Sequence, residues 1–525
     1  MFNETVVDLS RLQFAVTALY HFLFVPLTLG LSVLLAVMET VYVVTGREIY
    51  KRITKFWMHL FMINFALGVA TGLTMELQFG MNWSYYSSFV GDTFGALLAV
   101  EGLMAFFMEA TFVGLMVLGW DRLSKGKHLV ITYLVALASN FSALWILVAN
   151  SFMQNPVGAE LNPITMRMEL ASFQQLFFNP DAQAKFVHTV LAGYVTAAVF
   201  VCGISAFYML RNRHMDVAQR SFRIAALFGV LGTAGVITLG DALGFIGGHA
   251  QPSKLAAMEA LWEPEKAPMP FNAIAFPSQE QERNLFEIQV PDVLSILVTH
   301  SLDGTVPSIS EIQEEAKGRI WNGIPAVMAL ERLGQDRDDA EALAVFEAHK
   351  HDVGFGFLVQ RYAPDGDLTQ ITDAEVELAA KDTIPEVWVI FWAFRIMVGL
   401  GLLMLGYFVV GIMFTLTNKV QHKRWFLHAS VWMIPVPFIA CEMGWLVAEM
   451  GRQPWTVFEI LPTWLSVSTH SVTYMVVSLT GFVLLYTAFA IVEMYLMVRS
   501  VKKGPAEPNE RELQQRGLPS QLSTD

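Results

Sequence analysis

Residues 387–417 read VWVIFWAFRIMVGLGLLMLGYFVVGIMFTLT, with Arg395 the one charged side chain. A helix needs about 20 apolar residues to cross a ~30 Å hydrocarbon core, so this run is long enough to span a bilayer. Eight further stretches read the same way, near 13–44, 56–80, 94–120, 129–152, 187–210, 221–247, 425–449 and 467–498. Across 525 residues the chain is 54% hydrophobic and only 15% charged, the balance of a polytopic membrane protein. The expected fold class is an all-α integral membrane protein, about nine transmembrane helices with one large extracytoplasmic loop domain.

The net charge of −13 conceals a segregation. Lys and Arg cluster in every second connection: Arg47, Lys51, Arg52 and Lys55; Arg122, Lys125 and Lys127; Arg211, Arg213, Arg220 and Arg223; Lys419, Lys423 and Arg424; Arg499, Lys502 and Lys503. By the positive-inside rule those connections face the cytoplasm, which puts the N-terminus outside and the C-terminus inside, as nine crossings require. The first stretch does not read as a cleaved signal: Glu4 and Asp8 precede it with only Arg11 for positive charge, and it is too long. Cys202 and Cys441 both fall within crossings, so there is no disulfide framework and no cysteine set for an iron–sulfur cluster. Any metal centre must use His, Met or carboxylates.

Four regions follow: 1–249 with crossings one to six, 250–385 outside, 386–498 with crossings seven to nine, and a cytoplasmic tail at 499–525. Region 250–385 carries 24 acidic residues against 10 basic ones and is too long for a simple loop. Ser308 with Glu311 and Thr372 with Glu375 read there as helix capping boxes. From about 504 the tail is rich in proline and charge and reads as disordered. No internal repeat is evident, which weighs against an inverted-repeat transporter.

Ionisable residues inside lipid are costly and point to function. His21, Glu101, His188, Met397 and Glu449 lie in five different stretches. With a ~1.5 Å rise per residue, His21 falls about 12 Å, Glu101 about 10 Å and Met397 roughly 15 Å below the outer surface. His188 opens the fifth helix on that side and Glu449 closes the eighth, so all five share the outer half of the bilayer. Glu109 lies deeper, on a face that it can share with Glu101. A His–Met pair suits a six-coordinate, low-spin haem that passes electrons, whereas a lone His or carboxylate leaves a position open for oxygen. Plainer readings stand beside these. His188 and Glu449 could be boundary groups, Met397 core filler among 26 methionines, and Arg395 a snorkelling cation.

Several motifs resemble subunit I of the cytochrome bd quinol oxidases. They are SRLQF at 10–14, YHFLFVP at 20–26, GVATGLTME at 68–76, EGLMAFFME at 101–109, KFVHT at 185–189, FRIM at 394–397 and GRQPW at 451–455. Together, in this order, they span nearly the whole chain. The resemblance implies a low-spin haem b held by His188 and Met397. It implies a high-spin haem b and a haem d served by His21, Glu101 and Glu449, without deciding which residue ligates which iron. Lys254 and Glu259 match a charged pair tied to quinol oxidation, in a loop of the longer type; read alone, they are five residues apart and do not share a helix face. Trp445, Arg395 and Arg452 match residues near the haems, and Glu109 and Ser142 match a proton path from the cytoplasm. Ala110 stands where a serine is expected, a hydroxyl that water could replace.

The resemblance implies a quinol:oxygen oxidoreductase of a bacterial cytoplasmic (inner) membrane, generating a proton motive force without pumping. Quinol and oxygen, a second large membrane subunit, a small single-helix accessory subunit and membrane lipid are its implied partners; no nucleic acid is expected. One rival is a proton-coupled transporter using Glu101 and Glu109, with broken helices near the midplane. Another is a dihaem quinone dehydrogenase anchor.

Overall fold

The computed structural model describes residues 3–515, and for residues 104–106 the backbone only. It is 75% helical, and its sheets are small. Among the described residues nine helical spans are long and apolar enough to cross a membrane, one for each apolar stretch in the sequence.

Most spans are longer than their apolar windows, and three are interrupted. The first comprises α1 (Glu4–Phe22) and α2 (Val25–Thr45). It breaks at Leu23–Phe24 because Pro26 lacks an N–H and its ring crowds the carbonyl four residues earlier. After α3 (Glu48–Met81), the third span runs as α4 (Gly91–Gly102), a π-helical segment Leu103–Glu109 and α5 (Ala110–Leu118). Such wide turns concentrate at functional sites, and this one lies between Glu101 and Glu109.

Next come α6 (Lys125–Gln154), a β1–β2 hairpin (Ala159–Asn162 with Arg167–Leu170), α7 (Pro180–Leu210) and α8 (Met215–Ala250). Helix α7 starts at the Asn179 cap, so His188 lies two turns inside it rather than opening it. Its first turns carry Asp181 and Lys185, polar residues that pair with each other at 2.9 Å and so tolerate burial.

The acidic region holds α9 (Pro252–Glu259), a β3–β4 hairpin (Phe271–Ser278 with Arg283–Val290) and α10 (Ile309–Gln335). Both expected capping boxes close, at Ser308–Glu311 and Thr372–Glu375. Its own apolar core joins Ile320, Leu330, Phe346 and Leu358 to Trp455 and Phe458, which follow the eighth span. The region therefore packs on the membrane-spanning body beside the GRQPW motif.

After the acidic region come α11 (Val387–Leu416), α12 (Arg424–Trp432), α13 (Val436–Met450), a short β5–β6 pair (Trp455–Val457 with Leu461–Pro462), α14 (Val472–Lys503) and α15 (Glu510–Gln515). The eighth span breaks between α12 and α13, beside Pro435 and Pro437. The tail departs from its reading as disordered. Arg52, largely buried, meets Asp216 at 2.6 Å and Glu512 at 2.8 Å and donates to the Ala506 carbonyl, which clips α15 to α3. Residues 516–525 of the expected tail lie outside the described residues.

The membrane core centres on α2, α3, α7 and α8, where Leu31, Leu34, Trp57, Phe61 and Phe222 are buried. Without a hydrophobic drive between helices in lipid, close backbone approach does the packing. Helices α2 and α7 cross at Gly30, where a Cβ would sit 2.1 Å from the Gly193 carbonyl oxygen. Gly30→Ala must part these helices and should cost about 1–3 kcal/mol. Thermal unfolding in detergent checks this against Gly126→Ala, where nothing lies within 4 Å; equal stability of the two variants would refute the close-crossing account.

Candidate functional site

One face of α6 collects the carboxylates. Ser142 donates to Glu101 at 2.9 Å, and Ser139, one turn earlier, donates to Glu109. Glu101 and Glu109 thus meet the same helix, with the Glu76 carboxyl of α3 beside Glu101. Toward the C-terminal end of α6, Asn150 donates to Glu449 at 2.8 Å and Gln154 donates to the same oxygen at 3.3 Å. Toward the N-terminal end of α6, Thr132 donates to Glu39 at 2.6 Å and His128 bridges Glu39 to the Met116 carbonyl.

His21 ends α1 just before the break, its Nδ1 2.8 Å from the Thr71 hydroxyl. That hydroxyl donates to carbonyls of its own helix, Leu67 and Gly68, so its oxygen accepts and the imidazole proton belongs on Nδ1. Nε2 is left with a lone pair, the tautomer that a metal ligand needs. A Cβ at position 72 would approach this ring to 3.2 Å, so Gly72 keeps the space clear.

His188 packs against Gly240, where a Cβ would approach its ring to 3.3 Å, and its buried Nδ1 has no hydrogen-bond partner among the described residues. Met397 points its sulfur at Gly444, 3.1 Å from where a Cβ would stand. Helix α8 packs against both α7 and α11, the helices that carry this histidine and this methionine. Trp445 stands edge-on to Phe22 at 5.1 Å, joining the end of α1 to the helix of Glu449.

Just past α13, Arg452 is buried, donates to the Trp455 and Thr456 carbonyls and forms an ion pair with Glu449. Lys254 and Glu259 are not solvated surface charges. The Lys254 ammonium donates to Gln154 at 2.6 Å, and buried Glu259 meets Arg395 at 2.7 Å. Their spacing across α9 sends one to α6 and the other to α11. Arg395 does not snorkel: its remaining donors go to the Met258 and Asn272 carbonyls, and it lies over the Phe271 and Phe391 rings. In this structure it anchors the loop.

This donor set fits a porphyrin. A porphyrin supplies four nitrogens and asks one or two ligands of the protein. The imidazoles of His21 and His188 and the Met397 thioether, each set against a glycine, answer that demand. Among the described residues no group of three His, Cys, Asp or Glu side chains forms a cage for a bare ion.

Residues 9–505 match the family model for cytochrome bd terminal oxidase subunit I. The chain is 51% identical over 513 residues to cytochrome bd-II ubiquinol oxidase subunit 1 of Escherichia coli (strain K12), covering 98% of this chain and 99% of the relative. It belongs to the cytochrome bd terminal oxidase subunit I family. Bacillus subtilis (strain 168) cytochrome bd ubiquinol oxidase subunit 1 is 36% identical over 506 residues, covering 96% of this chain and 95% of that one. The fold matches the bd oxidase of Geobacillus thermodenitrificans with a TM-score of 0.76 at 23% identity, over 96% of this chain and 100% of that one. The transporter reading is set aside by this membership, although two spans do break at prolines.

Within this bd-family chain the motif reading passed over the donors. Ser139, Asn150 and Gln154 lie in or just past the apolar stretch 129–152, and polar residues recurring on one helix face were the available signal. Glu442 on α13, its two oxygens buried without a hydrogen-bond partner among the described residues, was also passed over. Burial and nearby Lys185 push the Lys254 ammonium down to about 7, against the pull of Asp181 and Glu449. Burial pushes the Glu259 carboxyl up, with Arg395 opposing.

An unfolded lysine titrates near 10.5, so between about 7 and 10.5 the unfolded chain holds a proton that the folded one lacks. The cost of the buried cation is therefore full below about 7 and is relieved as pH rises through that window. Wild type should gain stability relative to Lys254→Met as pH increases from 7 to 10, read by thermal unfolding in detergent. A constant difference between the two would show that Lys254 keeps its ordinary affinity for protons.

Proposed function

We propose that the chain is the haem-bearing subunit of a terminal quinol:oxygen oxidoreductase in a bacterial cytoplasmic (inner) membrane, paired with a second large membrane subunit. The observation that carries this reading is the alignment of Glu109, Glu101 and Glu449 along α6, beside imidazoles and a thioether set against glycines. The N-terminus is placed outside and the C-terminus inside, with 250–385 as the extracytoplasmic quinol-binding region between the membrane regions 1–249 and 386–498. A small accessory helix and bound lipid complete the assembly.

In this reading His188 and Met397 hold a low-spin haem b, and His21, Glu101 and Glu449 serve a high-spin haem b and a haem d. When bound, these groups supply electron transfer and the reduction of oxygen to water. Lys254 and Glu259 orient quinol at the outer side, where its protons leave. Ser139 and Ser142 hold Glu109 and Glu101 in line, so protons enter from the cytoplasm past Glu109 toward Glu101. Trp445 packs on Phe22 beside the residues that would hold the cofactors, Arg452 steadies Glu449, and Arg395 steadies the quinol region through Glu259. Because protons leave on one side and are consumed from the other, charge separates across the membrane without a pump. Each charge so moved stores about 2.3 kcal/mol per 100 mV.

The purified complex should show haem bands in a reduced-minus-oxidised spectrum, some of them shifted by carbon monoxide. A colourless preparation would remove the oxidase reading, and bands that carbon monoxide leaves in place would favour a dehydrogenase anchor. Met397→Leu should turn the low-spin signal high-spin; an unaltered spectrum would strike Met397 from the ligand set.

A further inference from the structure

The two charges of α9 are each wired to a different cofactor helix, and one connection runs through a single side chain. Gln154, the last residue of α6, is 1% exposed. Its amide oxygen accepts from Lys254 at 2.6 Å. Its amide nitrogen donates to the Ala448 carbonyl at 3.1 Å and to the Glu449 carboxylate at 3.3 Å. A flipped amide would set NH2 against the ammonium and the oxygen against two acceptors, so the orientation is fixed by charge. Lys254, a donor, is thereby linked in one sense only to Glu449, an acceptor.

Glu449 takes its other hydrogen bonds from Asn150 and Arg452. Asn150 accepts in turn from Lys185 at 3.5 Å, and Arg452 is spoken for by the Trp455 and Thr456 carbonyls. Both are held within the body of the protein. Gln154 alone among these donors reaches the loop helix α9. We propose that Gln154 is a positioning residue that couples Lys254, at the quinol-binding region, to the electron-donating strength of Glu449. Hydrogen bonds to a ligating carboxylate withdraw charge from it, and second-shell partners of this kind tune the metal. Movement or pairing of Lys254 on quinol binding then alters the donor that Gln154 presents to Glu449. A purely structural role, closing the end of α6, would leave the electronic properties of the distant site untouched.

This inference rests on the proposed function, in which Glu449 serves a high-spin haem, and the test separates the two. In the purified complex, haem content is measured first; a haem-free wild type defeats the functional reading and this inference with it. With haem present, Gln154→Met keeps the side-chain volume and removes the hydrogen bonds. Spectroelectrochemistry should show a high-spin band moving to a more negative midpoint while the low-spin band stays in place, because Glu449 loses a donor. Quinol KM should rise, because Lys254 loses the acceptor that holds it. Lys254→Met, which leaves Gln154 in place, should move the same high-spin band, and the double variant should move it no further than Gln154→Met does. A high-spin midpoint unchanged in Lys254→Met would overturn the coupling even where Gln154→Met assembles poorly. So would strict additivity in the double variant.

Discussion

A carboxylate in lipid is tolerable only where another element offers it donors, and in this protein one helix does so repeatedly. Helix α6 presents Thr132 to Glu39, Ser139 to Glu109, Ser142 to Glu101, and Asn150 and Gln154 to Glu449. The carboxylates come from α2, the π-helical segment, α4 and α13 respectively. Steps of seven, three, eight and four residues between these donors keep to one side of a ~3.6-residue turn. The helices around α6 are thus held in register by polar contacts as well as by packing. Removing the Ser139 hydroxyl would take a donor from buried Glu109, a loss that costs more than the hydrogen bond is worth.

That arrangement explains what was legible in the sequence. The nine spans were readable because lipid demands long apolar runs, and the interior acids because they are rare in such runs. The breaks were harder to read. Pro26 and Pro435 lie in continuous apolar windows, and hydropathy does not register a missing N–H. His188 was placed at a helix end because Asp181 and Lys185 ended the window, yet their mutual ion pair lets α7 begin two turns earlier. The tail was misread for a related reason. Its composition is that of a disordered segment, but Glu512 finds the buried Arg52, a partner more than four hundred residues away that composition cannot reveal.

The candidate site divides along the same line. Ligand-type residues announce themselves by chemistry, but the residues that orient them do not. Thr71 is unremarkable in the sequence, yet by sending its proton to its own helix it decides which nitrogen of His21 is free. Nothing in the sequence singles out glycines 72, 240 and 444, yet each faces a candidate ligand. Such roles are visible only once distant segments are brought together, so motif reading named candidate ligands and missed the residues that support them.

The acidic region illustrates how five residues of spacing can carry meaning. On a helix as short as α9, side chains five apart point in different directions, which argues against a shared surface role for Lys254 and Glu259. The structure makes that divergence useful. One direction leads into α6 and the carboxylates, the other into α11 and the helix of Met397. A loop fastened at both points cannot shift without disturbing one connection or the other. The apolar core that it shares with Trp455 and Phe458 fixes a third edge beside Arg452. Three attachments of different chemistry define a plane, so the region keeps a fixed orientation on the membrane-spanning body despite its acidic, water-facing surface.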